Sequence, residues 1–147
     1  MMPQDSAIAP RLHTNAQLLF VYGTLRLGGS NDIRRFGPHS RLLGPARVQG
    51  RLHDLGSYPG MVLGGPAWVW GELHWIEPAI EPALDDLEEV WPQRSGVYRR
   101  TRVLAVFESD GVCRSCSALA YEMDRRCAQA WPVIEGGDWL THVGRRA

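Results

Sequence analysis

A short stretch after the first apolar segment of the chain carries groups that could bind an anion. The β-favouring run that begins at Leu18 ends at Gly23, and the residues that follow are polar or glycine, including Gly28 and Gly29. A buried strand that stops at a glycine leaves several backbone N–H groups without partners in the sheet. Such donors can pair with water, with a helix cap or with an anionic ligand. The pattern fits an anion-binding loop, and it also fits an ordinary strand-to-loop turn.

A carboxylate on a helix predicted over residues 80–89 is the second candidate for chemistry. On a helical wheel of about 100° per residue, one stripe is apolar: Ile80, Ala83, Leu84 and Leu87. Glu88 lies beside this stripe, whereas Glu89 points nearly the opposite way, towards solvent. Partial burial would raise the pKa of Glu88 above the ordinary value of about 4.3, which suits proton transfer near neutral pH. The alternative is a boundary glutamate that pairs with an arginine such as Arg99 or Arg100.

Several other reaction types lack the residues that they need. All sixteen basic residues are arginines, which excludes a Schiff-base lysine and a P-loop lysine. Neither a G-x-S-x-G nor an H-E-x-x-H motif occurs. Cys113 and Cys116 form a C-x-x-C that leads into a predicted strand, and Cys127 is the only other thiol. We therefore expect no metal and no cofactor, and the odd number of cysteines fits a reducing compartment better than a disulfide framework.

Length and charge limit the class of protein. A chain of 147 residues is expected to form one domain, here over residues 17–147. Residues 1–16 lack the apolar centre of a signal peptide and are expected to be a flexible leader. Because the formal net charge is zero, nothing indicates a nucleic acid or membrane partner, and no apolar run approaches the roughly 18 residues of a membrane span. We predict a cytoplasmic protein; its oligomeric state is left open by the sequence.

The candidate residues must be positioned by a largely β-stranded fold. Hydrophobic alternation and turn residues predict strands over residues 17–22, 41–55, 61–63, 67–76, 98–107 and 113–123. Gly64-Gly65-Pro66 predicts a turn between the third and fourth of these strands. Short helices are predicted over residues 32–36 and before Pro132, besides the helix that carries Glu88. Many strands, few helices and short connections predict an α+β fold: a small, mostly antiparallel β-barrel with short helices packed outside.

The strand predicted over residues 67–76 is rich in tryptophan. Alternation places two sets of side chains on opposite faces: Val69, Gly71, Leu73 and Trp75 on one, and Trp70, Glu72 and His74 on the other. No basic cluster accompanies the tryptophans. We therefore interpret them as packing residues and not as a stacking platform for nucleic acid.

Six short motifs follow one another along the chain. They are Tyr22-Gly23-Thr24-Leu25-Arg26, Leu55-Gly56-Ser57-Tyr58-Pro59-Gly60, Val69-Trp70-Gly71-Glu72-Leu73, Leu84-Asp85-Asp86-Leu87-Glu88, Tyr98-Arg99-Arg100 and Ala120-Tyr121. Each motif alone is weak, but the combination of Y-G-T-L-R, L-D-x-x-E and Y-x-R is specific. In this order and spacing, the sequence resembles the gamma-glutamylcyclotransferase-like family over about residues 18–123.

The resemblance implies a small β-barrel with a cavity at one mouth. In the family, backbone amides of the Y-G-T-L loop bind the gamma-glutamyl part of the substrate, and the matching residues here are Tyr22, Gly23, Thr24 and Leu25. The glutamate of L-D-x-x-E is the catalytic acid/base of the family and corresponds to Glu88. Tyr121 corresponds to an aromatic residue that lines the pocket. Glu89 departs from the family pattern, which usually has glycine at that position.

The reaction implied by the resemblance is intramolecular and requires no metal. The α-amino group of a gamma-glutamyl substrate attacks its own side-chain amide carbonyl, forms 5-oxoproline and releases an amine. One carboxylate can take the proton and return it to the leaving nitrogen, while loop amides donate to the developing negative charge. Arg26 could add positive charge to the site or be a solvated surface residue. Two other hypotheses keep the fold: a non-catalytic small-molecule-binding module, and a hydrolase or transferase whose carboxylate activates water.

Overall fold

The structure, a computed structural model, describes residues 17–29, 32–36, 40–77 and 98–146. Its elements in chain order are β1 (Gln17–Val21), a 3-10 helix (Ile33–Phe36), β2 (Ser40–Asp54), β3 (Pro59–Ile76), β4 (Tyr98–Ser109), β5 (Val112–Met123), α1 (Arg125–Ala128) and α2 (Trp139–Arg146). The helix predicted over residues 80–89, with Glu88, lies outside the described residues, as does the leader predicted over residues 1–16.

The five strands pair in the order β1-β3-β2-β4-β5 and close into a barrel. The neighbouring pairs are antiparallel, except that β1 and β5 are parallel where Leu19 faces Leu119. Two short α-helices follow β5, and α1 contacts β3. The predicted fold class, a small and mostly antiparallel barrel with short helices, is confirmed.

β3 is one continuous strand where the sequence predicts two strands and a turn. The β2 partner of Leu63 is Gly50, whereas the partner of Trp68 is Gln49. Residues 64–67 therefore bulge out of the ladder without ending it. The two glycines after Leu63 have φ of 98° and 87°, a region that glycine adopts without steric cost. The predicted turn is wrong because β2 pairs with the chain on both sides of the bulge, which bends β3 and does not reverse it.

β4 and β5 form the predicted hairpin. Ser109 faces Val112, so the connection consists of Asp110 and Gly111 alone. Both residues have positive φ, 53° and 75°, as in the type I′ turn that matches the twist of paired strands. The C-x-x-C motif formed by Cys113 and Cys116 lies within β5 and not at the start of a helix.

Two apolar clusters lie on opposite sides of the barrel wall. The inner cluster draws buried side chains from all five strands, among them Phe20 of β1 and Leu73 of β3. The outer cluster contains Leu19 and Val21 of β1, since successive side chains of a strand point to opposite faces. β1 is therefore buried on both faces, which fixes the position of the chain where it leaves the strand.

The segment after β5 packs against the barrel and contributes to its core. Asp124 caps α1 by accepting from the amides of Arg126 and Cys127, and this helix matches the one predicted before Pro132. Further on, the Ile134 amide donates to the carbonyl of Leu52 at 2.7 Å. Trp139, which the sequence did not place, begins α2 and is 4% exposed in the inner cluster. The C-terminal segment is thus part of the core.

Candidate functional site

The loop that the sequence singled out, residues 22–29, leaves β1 between the two apolar clusters. Tyr22 packs in the inner cluster and Leu25 in the outer one. Gly23 and Thr24, between them, are also buried. The Arg26 amide donates to the carbonyl of Gly23 at 3.0 Å, which closes a tight turn. The first half of the loop is therefore held inside the protein by its side chains at both ends.

The phenol of Tyr22 joins three strands. Its hydroxyl donates to the Tyr121 carbonyl at 2.6 Å and accepts from the Met61 amide at 3.2 Å. Tyr22 and Tyr121 are 6% and 3% exposed. The Tyr22 hydroxyl is therefore engaged within the protein.

Gly23 lies against the start of β3. A Cβ added to Gly23 would lie 2.7 Å from Cγ of Pro59, closer than packed atoms approach. The Tyr98 hydroxyl donates to the Pro59 carbonyl at 2.7 Å and so fixes this residue from β4. Five of the six motifs found in the sequence therefore meet around this loop, through Tyr22, Pro59, Glu72, Tyr98 and Tyr121. The sixth motif, which contains Glu88, lies outside the described residues.

Glu72 of β3 holds the second half of the loop. Its Oε1 accepts from the Leu27 amide at 3.0 Å, and its Oε2 lies 3.4 Å from Nε of Arg26. Nε2 of His74, a side chain that is 1% exposed, lies 3.1 Å from the same Oε1. Sequence reasoning placed Glu72 and His74 on one face of β3 but gave them no role.

The surroundings of Glu72 keep it ionised. Burial alone raises the pKa of a carboxyl group, but the hydrogen bonds from His74 and the Leu27 amide and the charge of Arg26 outweigh it. The net pKa of Glu72 is below its ordinary value. A carboxylate stabilised in this way is a poor base near neutral pH.

Arg26 bridges two carboxylates. Besides Glu72, its Nη1 donates to Oδ1 of Asp138 at 2.9 Å, and 13% of its side chain is exposed. The same Asp138 oxygen accepts from the Thr141 amide at 3.2 Å, as an N-cap residue does at the start of a helix. The alternative of a solvated surface arginine is wrong, and the carboxylates of Glu72 and Asp138 balance the positive charge of Arg26. No sequence spacing predicted this pair, which joins residues 112 positions apart.

The outer end of the loop is held by Asp32. Its Oδ2 accepts from the Gly28 amide at 2.8 Å, and its Oδ1 accepts from the amide and Nε of Arg34. Hydrogen bonds from the Arg34 guanidinium hold the pKa of Asp32 well below its usual range. Arg34 itself is 69% exposed along its side chain, so water reaches this pair.

Other features of the described residues lie away from the loop. A cleft of about 520 Å³ runs between β2, the bulge of β3 and residues 133–137, and its lining includes Arg51, Trp68 and Trp70 but none of residues 22–25. In the ranges that the structure describes, no group of three or more His, Cys, Asp or Glu side chains is arranged to hold a metal ion. Burial raises the pKa of the Cys116 thiol. Over those same ranges, no helix is both long and apolar enough to cross a membrane.

Comparison with protein families identifies the family of the chain. The model of the family described as gamma-glutamyl cyclotransferase, AIG2-like, matches residues 19–141. The chain belongs to this family. The match covers most of the chain and continues past residue 123, where the resemblance in the sequence ended. Asp138 and the start of α2 are therefore part of the family domain. Membership indicates a cyclotransferase type of activity on a small-molecule substrate.

Individual relatives agree with this assignment. A Vibrio cholerae serotype O1 protein named "Putative gamma-glutamylcyclotransferase" is 34% identical over 128 residues, which cover 86% of this chain and 97% of that protein. The crystal structure of YkqA from Bacillus subtilis superposes with a TM-score of 0.66 and 26% identity over 90% of this chain, which spans 43% of YkqA. An AIG2-like protein from Mus musculus shares the fold, with a TM-score of 0.67 and 21% identity over 82% of this chain and 87% of that one.

Proposed function

We propose that this protein is a gamma-glutamyl cyclotransferase that releases 5-oxoproline and an amine from a gamma-glutamyl amine or amide. The observation that carries the proposal is the meeting of five family motifs around the loop of residues 22–29. In the proposed reaction the α-amino nitrogen of the substrate attacks its own side-chain carbonyl carbon. The C–N bond to the leaving amine then breaks, and the proton lost by the attacking nitrogen ends on the leaving nitrogen.

The proposed role of residues Tyr22, Gly23, Thr24 and Leu25 is to present backbone amides to the gamma-glutamyl group. Donors fixed in a buried loop stabilise developing negative charge without having to reorganise, and one such donor contributes on the order of 3 kcal/mol. Tyr121, which is buried in the same outer cluster as Leu25, is the proposed aromatic side of the pocket.

Glu88 is the proposed acid/base. Two arguments support it: its place in the family motif L-D-x-x-E, and its position beside the apolar stripe of the predicted helix. Glu72, the carboxylate that the structure places against the loop, is a poor candidate. Its pKa is lowered, and its oxygens are engaged by Leu27, Arg26 and His74.

The decisive experiment replaces Glu88 by Gln and measures 5-oxoproline release from a panel of gamma-glutamyl amines and amides. Glu89→Gln is the matched control, because it changes the neighbouring carboxyl group by the same atoms. We expect Glu88→Gln to lose about 10²- to 10⁴-fold in kcat and Glu89→Gln to keep most of it.

Product analysis tests the reaction itself. Turnover of the panel by Glu88→Gln at the parent rate would show that Glu88 is not the acid/base. Release of free glutamate by the parent in place of 5-oxoproline would indicate a hydrolase. Binding of 5-oxoproline by a parent protein without turnover of any panel member would indicate a non-catalytic binding module.

A further inference from the structure

Glu72 touches both ends of the 22–25 loop. Its backbone pairs with that of Val21, the last residue of β1, immediately before the loop begins. Its side chain accepts from the amide of Leu27, two residues after the loop ends. One residue of β3 thus fixes where residues 22–25 start and where they stop.

We propose that Glu72 is a positioning residue whose carboxylate aims the amides of residues 22–25 at the substrate. The inference rests on the proposed function, since it assigns to Glu72 the orientation of the donors that bind the gamma-glutamyl group. Glu72 does not itself touch the reacting atoms. Its effect passes through Leu27 and Arg26, which follow Leu25 directly in the chain.

The position requires a carboxylate and not merely a side chain of similar size. Three donors converge on its two oxygens: the Leu27 amide and Nε2 of His74 on Oε1, and Nε of Arg26 on Oε2. A glutamine offers one acceptor oxygen and turns an NH₂ donor towards the remaining donors. Because only 13% of the Glu72 side chain is exposed, water replaces lost partners poorly at this depth.

Loss of Glu72 does not strand the charge of Arg26. Nη1 of Arg26 keeps its 2.9 Å bond to Asp138, which also caps α2 through the Thr141 amide. The contacts that depend on Glu72 are those to the Leu27 amide and to Nε2 of His74. We therefore expect Glu72 variants to fold, with the end of the loop released and the charge of Arg26 still paired.

The test compares Glu72→Ala and Glu72→Gln with Glu122→Ala. Glu122 is a matched control: it lies on strand β5, 17% of its side chain is exposed, and it pairs with Arg99 at 3.2 Å. It points to the other face of the strand from Tyr121. We expect Glu72→Ala to raise KM and the Kd of 5-oxoproline and to lower kcat/KM by about 10²-fold, the size of rate effect that a 1 Å misplacement produces. Glu72→Gln should fall between the parent and Glu72→Ala, and Glu122→Ala should match the parent.

The division between KM and kcat separates positioning from stability and from proton transfer. Each variant is assayed where it is fully folded by circular dichroism, over a range of pH. A raised KM with the parent pH profile of kcat supports the inference. An unchanged KM, or a loss of kcat alone, overturns it. A shifted acid limb of the kcat profile also overturns it, because Glu72 would then take part in proton transfer.

Amide hydrogen exchange gives a readout that does not depend on turnover. If the parent itself releases no 5-oxoproline, the proposed function fails, but the placement of the loop remains measurable. Glu72→Ala should then exchange the amides of residues 22–27 faster than the parent does, and Glu122→Ala should not. Equal exchange in all three proteins would overturn the role of Glu72 whatever the activity.

Discussion

The two halves of the 22–29 loop are held by different forces. Residues 22–25 are buried between the inner and outer clusters, with Gly23 packed against Pro59. Residues 26–29 are held by polar contacts to carboxylates, chiefly Glu72 and Asp32. The half that we propose to bind substrate is therefore held mainly by packing, and the half behind it, through which we propose that Glu72 acts, is held by charge and hydrogen bonds.

The two carboxylates that hold residues 26–29, Asp32 and Glu72, differ in how far water reaches their partners. We expect this difference to matter more than the number of hydrogen bonds that each accepts. Asp32 accepts four hydrogen bonds, from Gly28 and Arg34, and its pKa is held well below the usual range. Glu72 has three such contacts, with Leu27, Arg26 and His74, and its pKa is lowered against the opposing effect of burial. Water and salt screen an exposed pair such as Asp32–Arg34. We therefore expect the sheltered contacts of Glu72 to hold the loop more firmly.

The largest effect is expected from removing the packing of the first half. Leu25 is 3% exposed in the outer cluster, and Leu25→Ala should cost about 2–5 kcal/mol, because the transfer energy and a cavity add. Leu27→Ala is the control in the second half, where the side chain is only partly buried. Midpoints of urea unfolding at pH 7 measure both losses. Equal losses would contradict the division of the loop into a packed half and a polar half.

Two glycines sharpen the comparison, because each should fail for a different reason. At Gly23 an added Cβ meets the Pro59 ring, so Gly23→Ala should cost about 1–3 kcal/mol by overpacking. At Gly28 an added Cβ meets nothing, but φ is 87°, so Gly28→Ala should cost about 1–2 kcal/mol through the backbone.

Asparagine distinguishes the two causes, because it tolerates positive φ better than alanine does. Gly28→Asn should unfold at a higher urea concentration than Gly28→Ala, whereas Gly23→Asn should be at least as unstable as Gly23→Ala. If asparagine restores stability at Gly23, the contact with Pro59 is not what requires glycine there.

The packed half of the loop was more predictable from the sequence than the polar half. The end of β1 near Gly23 and the Asp110-Gly111 turn follow from local alternation and turn chemistry, and the strand indeed ends at Val21. The contacts of Glu72 with Leu27 and of Arg26 with Asp138 span 45 and 112 residues. The first exists because β3 pairs with β1, and the second because the segment before α2 returns to β3, where the Trp70 amide donates to the carbonyl of Gly137. No local pattern encodes either arrangement.

The turn wrongly predicted within β3 has the same physical cause, because pairing between distant parts of the chain decides the structure there. Glycines with positive φ permit either a reversal or a bulge, and only the pairing with β2 on both sides decides between them. The role proposed for Glu88 stays a prediction from its motif and its helical position.

Acid should weaken the contacts of Glu72 with the loop in a measurable way. The pKa of Glu72 is lower in the folded protein than its ordinary value of 4.5, so its contribution to stability is present above that value. It is lost as the pH falls through the folded pKa. The free energy of unfolding should therefore drop less between pH 5 and pH 3 in Glu72→Gln than in the parent. An identical drop in the two proteins would show that Glu72 does not contribute to the acid limb.

The smallest effect is expected at Asp32, although it accepts more hydrogen bonds than Glu72 does. Asp32→Asn keeps an oxygen that can accept from the Gly28 amide and removes the charge that faces Arg34. Because that pair is open to water, the variant should shift Tm by no more than about 2 °C. It should also leave KM for the gamma-glutamyl substrate closer to the parent value than Glu72→Gln does. A shift in KM as large as that of Glu72→Gln would mean that Asp32 positions the loop as strongly as Glu72 does. The expectation that the contacts of Glu72 hold the loop more firmly would then be wrong.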